Sequence, residues 1–113
     1  MKLKVGLSTI CFLLIFILAG CGMNNLPKTE LLGKYDSPDS KHTINIYLGN
    51  GHATVDFSIV GELVDNSTKR IKNIYFAYHE YEATVKWIDN ETVIINDHKL
   101  NIYKDKYDWR KEY

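Results

Sequence analysis

Cysteine is nearly missing from this chain of 113 residues: it has two, Cys11 and Cys21, both close to the N-terminus. The long remainder therefore offers neither a disulfide framework nor a thiolate metal site. Surplus charge is missing as well, since 14 basic residues balance 14 acidic ones. That neutrality removes the electrostatic ground for nucleic-acid binding. No stretch of useful length repeats apolar residues at helical spacing. The chain carries no Gly-x-Ser-x-Gly elbow and no Walker or dinucleotide loop. Its longest apolar run, Val5 to Leu18, is shorter than the about 20 residues that a bilayer span requires.

What is present begins with that run. Lys2 and Lys4 precede it, and small Ala19 and Gly20 follow it before Cys21. A basic start, a short apolar centre and small residues at its end describe a signal peptide. The order Leu18-Ala19-Gly20-Cys21 resembles the lipobox of bacterial lipoproteins. The resemblance implies cleavage between Gly20 and Cys21, a diacylglyceryl group on the Cys21 thiol, and a place on the outer side of the cell membrane. Two acyl chains hold a protein stably where one holds it only marginally. An uncleaved apolar anchor and an ordinary secretory signal are the alternatives. The expected organisation is a signal peptide over 1–20, lipidated cysteine and tether over 21–33, and one domain over 34–113. As flexible coil, residues 22–33 would reach about 20 Å.

Beyond the tether, the chain alternates apolar and polar residues in short runs. Ser37-Pro38-Asp39-Ser40 reads as a turn with proline at its second position. Thr43–Leu48 alternates strictly, and so does His52–Ile59 after Gly49-Asn50-Gly51. An Asn50-Gly51 hairpin turn predicts Leu48 opposite Ala53, Ile46 opposite Val55 and Ile44 opposite Phe57. Gly61 marks a bulge or bend. A strand follows over 71–81, with Ile74, Phe76 and Tyr78 as its apolar set, and another over 82–88. A three-residue loop, Asp89 to Glu91, places Trp87 opposite Val93 and Val85 opposite Ile95. Asn96-Asp97 turns the chain again and sets Val93 opposite Leu100. In the tail, Tyr107 and Trp109 have the bulk to cover an open end of the core. The expected fold is all-β: an antiparallel meander of five to six strands forming a small sandwich or half-open barrel.

Several of these segments together resemble a family of short lipoproteins from low-GC Gram-positive bacteria, classed as a domain of unknown function. They are the Ser37-Pro38-Asp39 turn, Ala53–Phe57, Gly61–Asn66 and Val85–Asn96. The similarity covers Tyr35 to Arg110 and implies no catalytic residue.

Two sets of residues carry candidate chemistry. His79-Glu80-Tyr81-Glu82 is the densest polar cluster near a strand end, and His79 with Glu80 or Glu82 could serve acid–base hydrolysis of envelope material. Alternation within a strand opposes this, because neighbours point to opposite faces. The four histidines, His42, His52, His79 and His98, lack metal-ligand spacing, and no cofactor is expected. Tyr47, on the polar face of its strand, and Tyr75 and Tyr81, on the less apolar face of theirs, form the candidate binding surface, since aromatic residues are enriched at interfaces. A binding or interaction module, contacting an envelope protein or wall polymer, ranks ahead of an enzyme.

Overall fold

The computed structural model describes residue 23, residues 25–49 and residues 56–111. The signal-peptide reading, the Gly20–Cys21 cleavage site and the Asn50-Gly51 turn lie outside the described residues. The expected β architecture is present as two sheets packed into a sandwich. Among the described residues, eight strands occupy Glu30–Asp36 (β1), His42–Gly49 (β2), Ser58–Asp65 (β3), Ile71–Tyr78 (β4), Val85–Trp87 (β5), Thr92–Ile95 (β6), His98–Asn101 (β7) and Tyr107–Asp108 (β8). A five-stranded sheet runs β1-β2-β3-β4-β8, and a three-stranded sheet runs β5-β6-β7. All pairs are antiparallel except β4 with β8.

The small sheet follows the local sequence closely. Trp87 pairs with Val93, Val85 with Ile95, and Val93 with Leu100. The loop 89–91 is closed by Ile88 N–H donating to Thr92 O at 2.9 Å. At the next turn Asn96 and Asp97 take φ of 45° and 69°. Those angles match the paired left-handed residues of a tight hairpin turn, which asparagine and aspartate tolerate.

The large sheet departs from expectation in register. Ile44 pairs with Leu63, Ile46 with Gly61 and Leu48 with Ile59, not with Phe57, Val55 and Ala53. The slide is six residues, an even number, so every side chain keeps its face and the apolar side of β2 still points inward. Ile59, Gly61 and Leu63 thus stand where Ala53, Val55 and Phe57 were expected, and Gly61, opposite Ile46, leaves the room that Tyr75 and Ile95 occupy. The N-terminal side differs as well: Glu30–Gly33, read as tether, pair with β2, and β1 shifts register between Leu31 and Gly33.

Gly61 does sit at a bulge. The β3–β4 register shifts between Gly61 and Glu62, leaving Ile74 as the extra residue between Asn73 and Tyr75. Ile74 and Tyr75 are consequently both fully buried. A side chain at position 61 would collide, because an added Cβ would lie 2.9 Å from Tyr75 Cβ and 3.2 Å from Ile95 Cδ1. The core joins Ile44, Ile46, Ile59, Leu63, Tyr75 and Ala77 of the large sheet to Val93, Ile95 and Leu100 of the small one.

The outer face of the large sheet is covered too. Lys28 reaches Glu62, whose side chain is 7% exposed, at 2.6 Å. Asn45 Nδ2 donates to the other Glu62 oxygen at 3.1 Å. A carboxylate so withdrawn from water requires such partners. Further along, Asn73 Nδ2 donates to Met23 O. The described part of the supposed tether thus lies against the sheet. Along the same strand Trp109, in a 3-10 turn over Trp109–Lys111, stacks on Tyr78 with centroids 5.0 Å apart and meets the edge of Phe76.

Candidate binding surface

The end of β4 gathers the polar groups of interest. After Tyr78 the chain turns sharply out of the sheet: His79 adopts a φ of 62°, while its N–H donates to Phe57 O at 2.9 Å. The β3–β4 register, with Ser58 opposite Tyr78, is what brings residues 56–57 beside residue 79. His79 Nδ1 lies 2.7 Å from Asp56 Oδ2. The Tyr81 hydroxyl donates to the same carboxylate, 3.1 Å from each oxygen. Phe57 N–H donates to Asp56 Oδ1 at 2.8 Å, and Asp56 N–H donates to the Tyr78 hydroxyl at 2.7 Å. One carboxylate therefore holds an imidazole and a phenol on an exposed end of the sandwich.

The electrostatics follow from that geometry. The hydrogen bond from His79, and next the Phe57 amide, hold the Asp56 carboxyl below its ordinary value. The same carboxylate, by accepting from Tyr81, pushes that phenol above its ordinary value. The His79 side chain remains 69% exposed and Tyr81 is 59% exposed, so water and any partner reach both.

The expected pairing of His79 with Glu80 or Glu82 is not formed. Glu80 turns the other way and accepts from the Tyr75 hydroxyl at 2.7 Å and from Asn96 Nδ2 at 2.9 Å. Glu82 is exposed, and its backbone carbonyl accepts from Asn96 Nδ2. Residues 79–82 have left the strand, yet the imidazole and the glutamates still diverge. The partner that sequence reading missed is Asp56, 23 positions upstream. Only the long-range strand register could have revealed it.

The three tyrosines separate. Tyr75 is fully buried, stacked 5.2 Å from Tyr107, and so leaves the candidate surface. The bulge at Gly61 is the cause, because it resets the alternation of β4 and turns Tyr75 inward. Burial, and then Glu80 beside it, push the Tyr75 phenol far above its ordinary value. Tyr47 is half-buried on the outer face, with Lys28 Nζ 5.5 Å above its ring. Tyr81 alone combines high exposure with a fixed hydroxyl. Among the described residues no group of three or more His, Cys, Asp or Glu gathers where it could hold a metal ion. Among them also, no helix is long and apolar enough to cross a membrane.

Residues 2–112 match the model of a family described as a family of unknown function (DUF5412). The chain belongs to this family. No curated protein and no solved structure matches it. In this DUF5412 chain, Asp56, His79 and Tyr81 form the hydrogen-bonded polar cluster at the exposed end of β4.

Proposed function

We propose that this chain is a lipoprotein of the Gram-positive type, anchored through a diacylglyceryl group on Cys21 and facing outward from the cell membrane. Its β domain acts as a binding or interaction module for an envelope protein or a wall polymer, without a cofactor. The address rests on the Leu18-Ala19-Gly20-Cys21 motif behind a basic, apolar leader. The observation that carries the binding role is Tyr81, an exposed aromatic whose hydroxyl is pinned by Asp56. A tyrosine held this way offers large contact area at low entropic cost.

A second reading, acid–base hydrolysis, draws on the 2.7 Å approach of Asp56 to His79. It ranks lower because the imidazole stands in solvent, where a proton relay gains little from its surroundings. Photo-cross-linking in living cells, with the cross-linker beside Tyr81, separates the two. Binding predicts discrete adducts with envelope material that Tyr81→Ala removes and His79→Gln largely retains, at unchanged melting temperature. A phenotype abolished by His79→Gln and untouched by Tyr81→Ala would assign the protein to catalysis.

A further inference from the structure

We propose that the corner of the sandwich where β4 begins is a docking surface for anionic lipid headgroups, so that the domain lies against the bilayer. The idea depends on the N-terminal anchorage proposed above, and it replaces the picture of a domain lifted on a flexible stalk. Its starting point is the path of the chain. Met23 O accepts from Asn73 Nδ2, which ties the N-terminal segment to the third residue of β4. Cys21 is two peptide steps from Met23 and so lies within about 8 Å of its Cα. An anchor there brings that corner to the membrane.

The residues at this corner suit such a surface. Ile71 and Tyr103 are both 59% exposed, among the largest exposures of big apolar side chains in the described residues. They flank an open groove of about 270 Å³ whose floor includes buried Leu63 and Ile102 and whose rim includes Arg70 and Lys72. Lys104 and Lys106 are exposed on the segment that leads from Tyr103 to a second groove, lined by Met23, Lys106 and Lys111. Asp108 pairs with Arg110 at 2.6 Å, and Asp65 and Asp105, which accept from Ser67 N–H and Asn101 N–H and keep their charge, are outnumbered by Arg70, Lys72, Lys104, Lys106 and Lys111. Lysine and arginine near an anionic leaflet are attracted to it, and amphipathic rings favour the headgroup level. The far end of the sandwich is different in sign, with Asp56, Glu80, Glu82 and Asp97 around the 96–97 turn and the end of β4.

The test uses the full chain, purified from bacterial membranes and reconstituted in nanodiscs that contain a headgroup spin-labelled lipid. Discs of phosphatidylglycerol with phosphatidylcholine are compared with phosphatidylcholine alone. Amide signals of Ile71, Lys72, Tyr103 and Lys104 should broaden severalfold more than those of Glu82, Asn96 and Asp97. That contrast should shrink in discs without phosphatidylglycerol, at 1 M salt, where screening shortens to about 3 Å, and in the variant Arg70→Gln/Lys72→Gln/Lys104→Gln. Equal broadening at both ends, or a contrast indifferent to phosphatidylglycerol, overturns the proposal. Intact mass reports separately whether Cys21 carries lipid. The nanodisc measurement holds with either a lipid or an uncleaved apolar segment as anchor, so the two ideas fail independently.

Discussion

Tyr75 and Tyr81 are the same residue type six positions apart, on opposite sides of the last residues of β4, and they have opposite duties. Tyr75 fills the core and donates to Glu80 at 2.7 Å, whereas Tyr81 projects into solvent. Truncating the first removes a large packed ring and leaves a cavity, so Tyr75→Ala should destabilise the domain by about 3–5 kcal/mol. Tyr75→Phe, which keeps the ring but leaves Glu80 one donor short, should cost about 1 kcal/mol. Tyr81→Ala should fall within about 0.5 kcal/mol of wild type, as exposed substitutions do. Urea melts of the three variants check the order. A melt of Tyr81→Ala as weak as that of Tyr75→Ala would contradict the assignment of Tyr81 to a contact surface.

At the scale of elements, aspartates organise the turns. Asp89 accepts from Glu91 and Thr92 N–H, both at 2.8 Å, and folds the loop between β5 and β6. The Ser37 hydroxyl donates to Asp39, and that of Ser67 to Asp65. Each of these carboxyls sits below its ordinary value, chiefly through the Glu91 amide for Asp89, the Ser37 hydroxyl for Asp39 and the Ser67 hydroxyl for Asp65. A carboxyl lowered by folding stabilises the native state fully above its unfolded value, about 3.9, and loses that contribution as pH falls through the folded value. Thermal midpoints should therefore hold steady between about pH 7 and 5 and drop below about pH 4. Asp89→Ala should melt below wild type at neutral pH, with the difference narrowing in acid. A difference that stays constant down to strong acid would mean that Asp89 acts without its charge.

For the molecule as a whole, the joint between the sheets matters most. Trp87 packs against the core from the small sheet, and its Nε1–H donates to Tyr35 O of β1 at 3.0 Å. It thereby ties the short three-stranded sheet to the far edge of the large one. Trp87→Ala should cost about 3 kcal/mol, the lower end for a large aromatic because the ring is only partly buried. A domain this small has only about 5–15 kcal/mol to lose. Chemical denaturation should show the loss as a lower midpoint with an unchanged slope. A changed slope would instead report that the small sheet melts by itself.

Local chemistry made the β5–β6–β7 meander legible. Its loops are short, and Asp89 to Glu91 and Asn96-Asp97 admit few turn geometries, so alternation of Val85, Trp87, Val93 and Ile95 fixed the register from sequence alone. The alternation of Ile44, Ile46 and Leu48 likewise determined which face of β2 is inward. Their partners were another matter, because a slide of six residues preserves every face, and alternation by itself does not choose Ile59 and Leu63 over Ala53 and Phe57. The bulge after Gly61 then inverted the expected phase of β4, burying Tyr75 and sending Phe76 and Tyr78 to Trp109. The same long-range register carried Asp56 to His79 and Tyr81. Side chains alternate by covalent geometry, which the sequence determines; which strand lies opposite, and where a bulge breaks the count, depends on how the whole chain buries its hydrocarbon, which the tertiary structure decides.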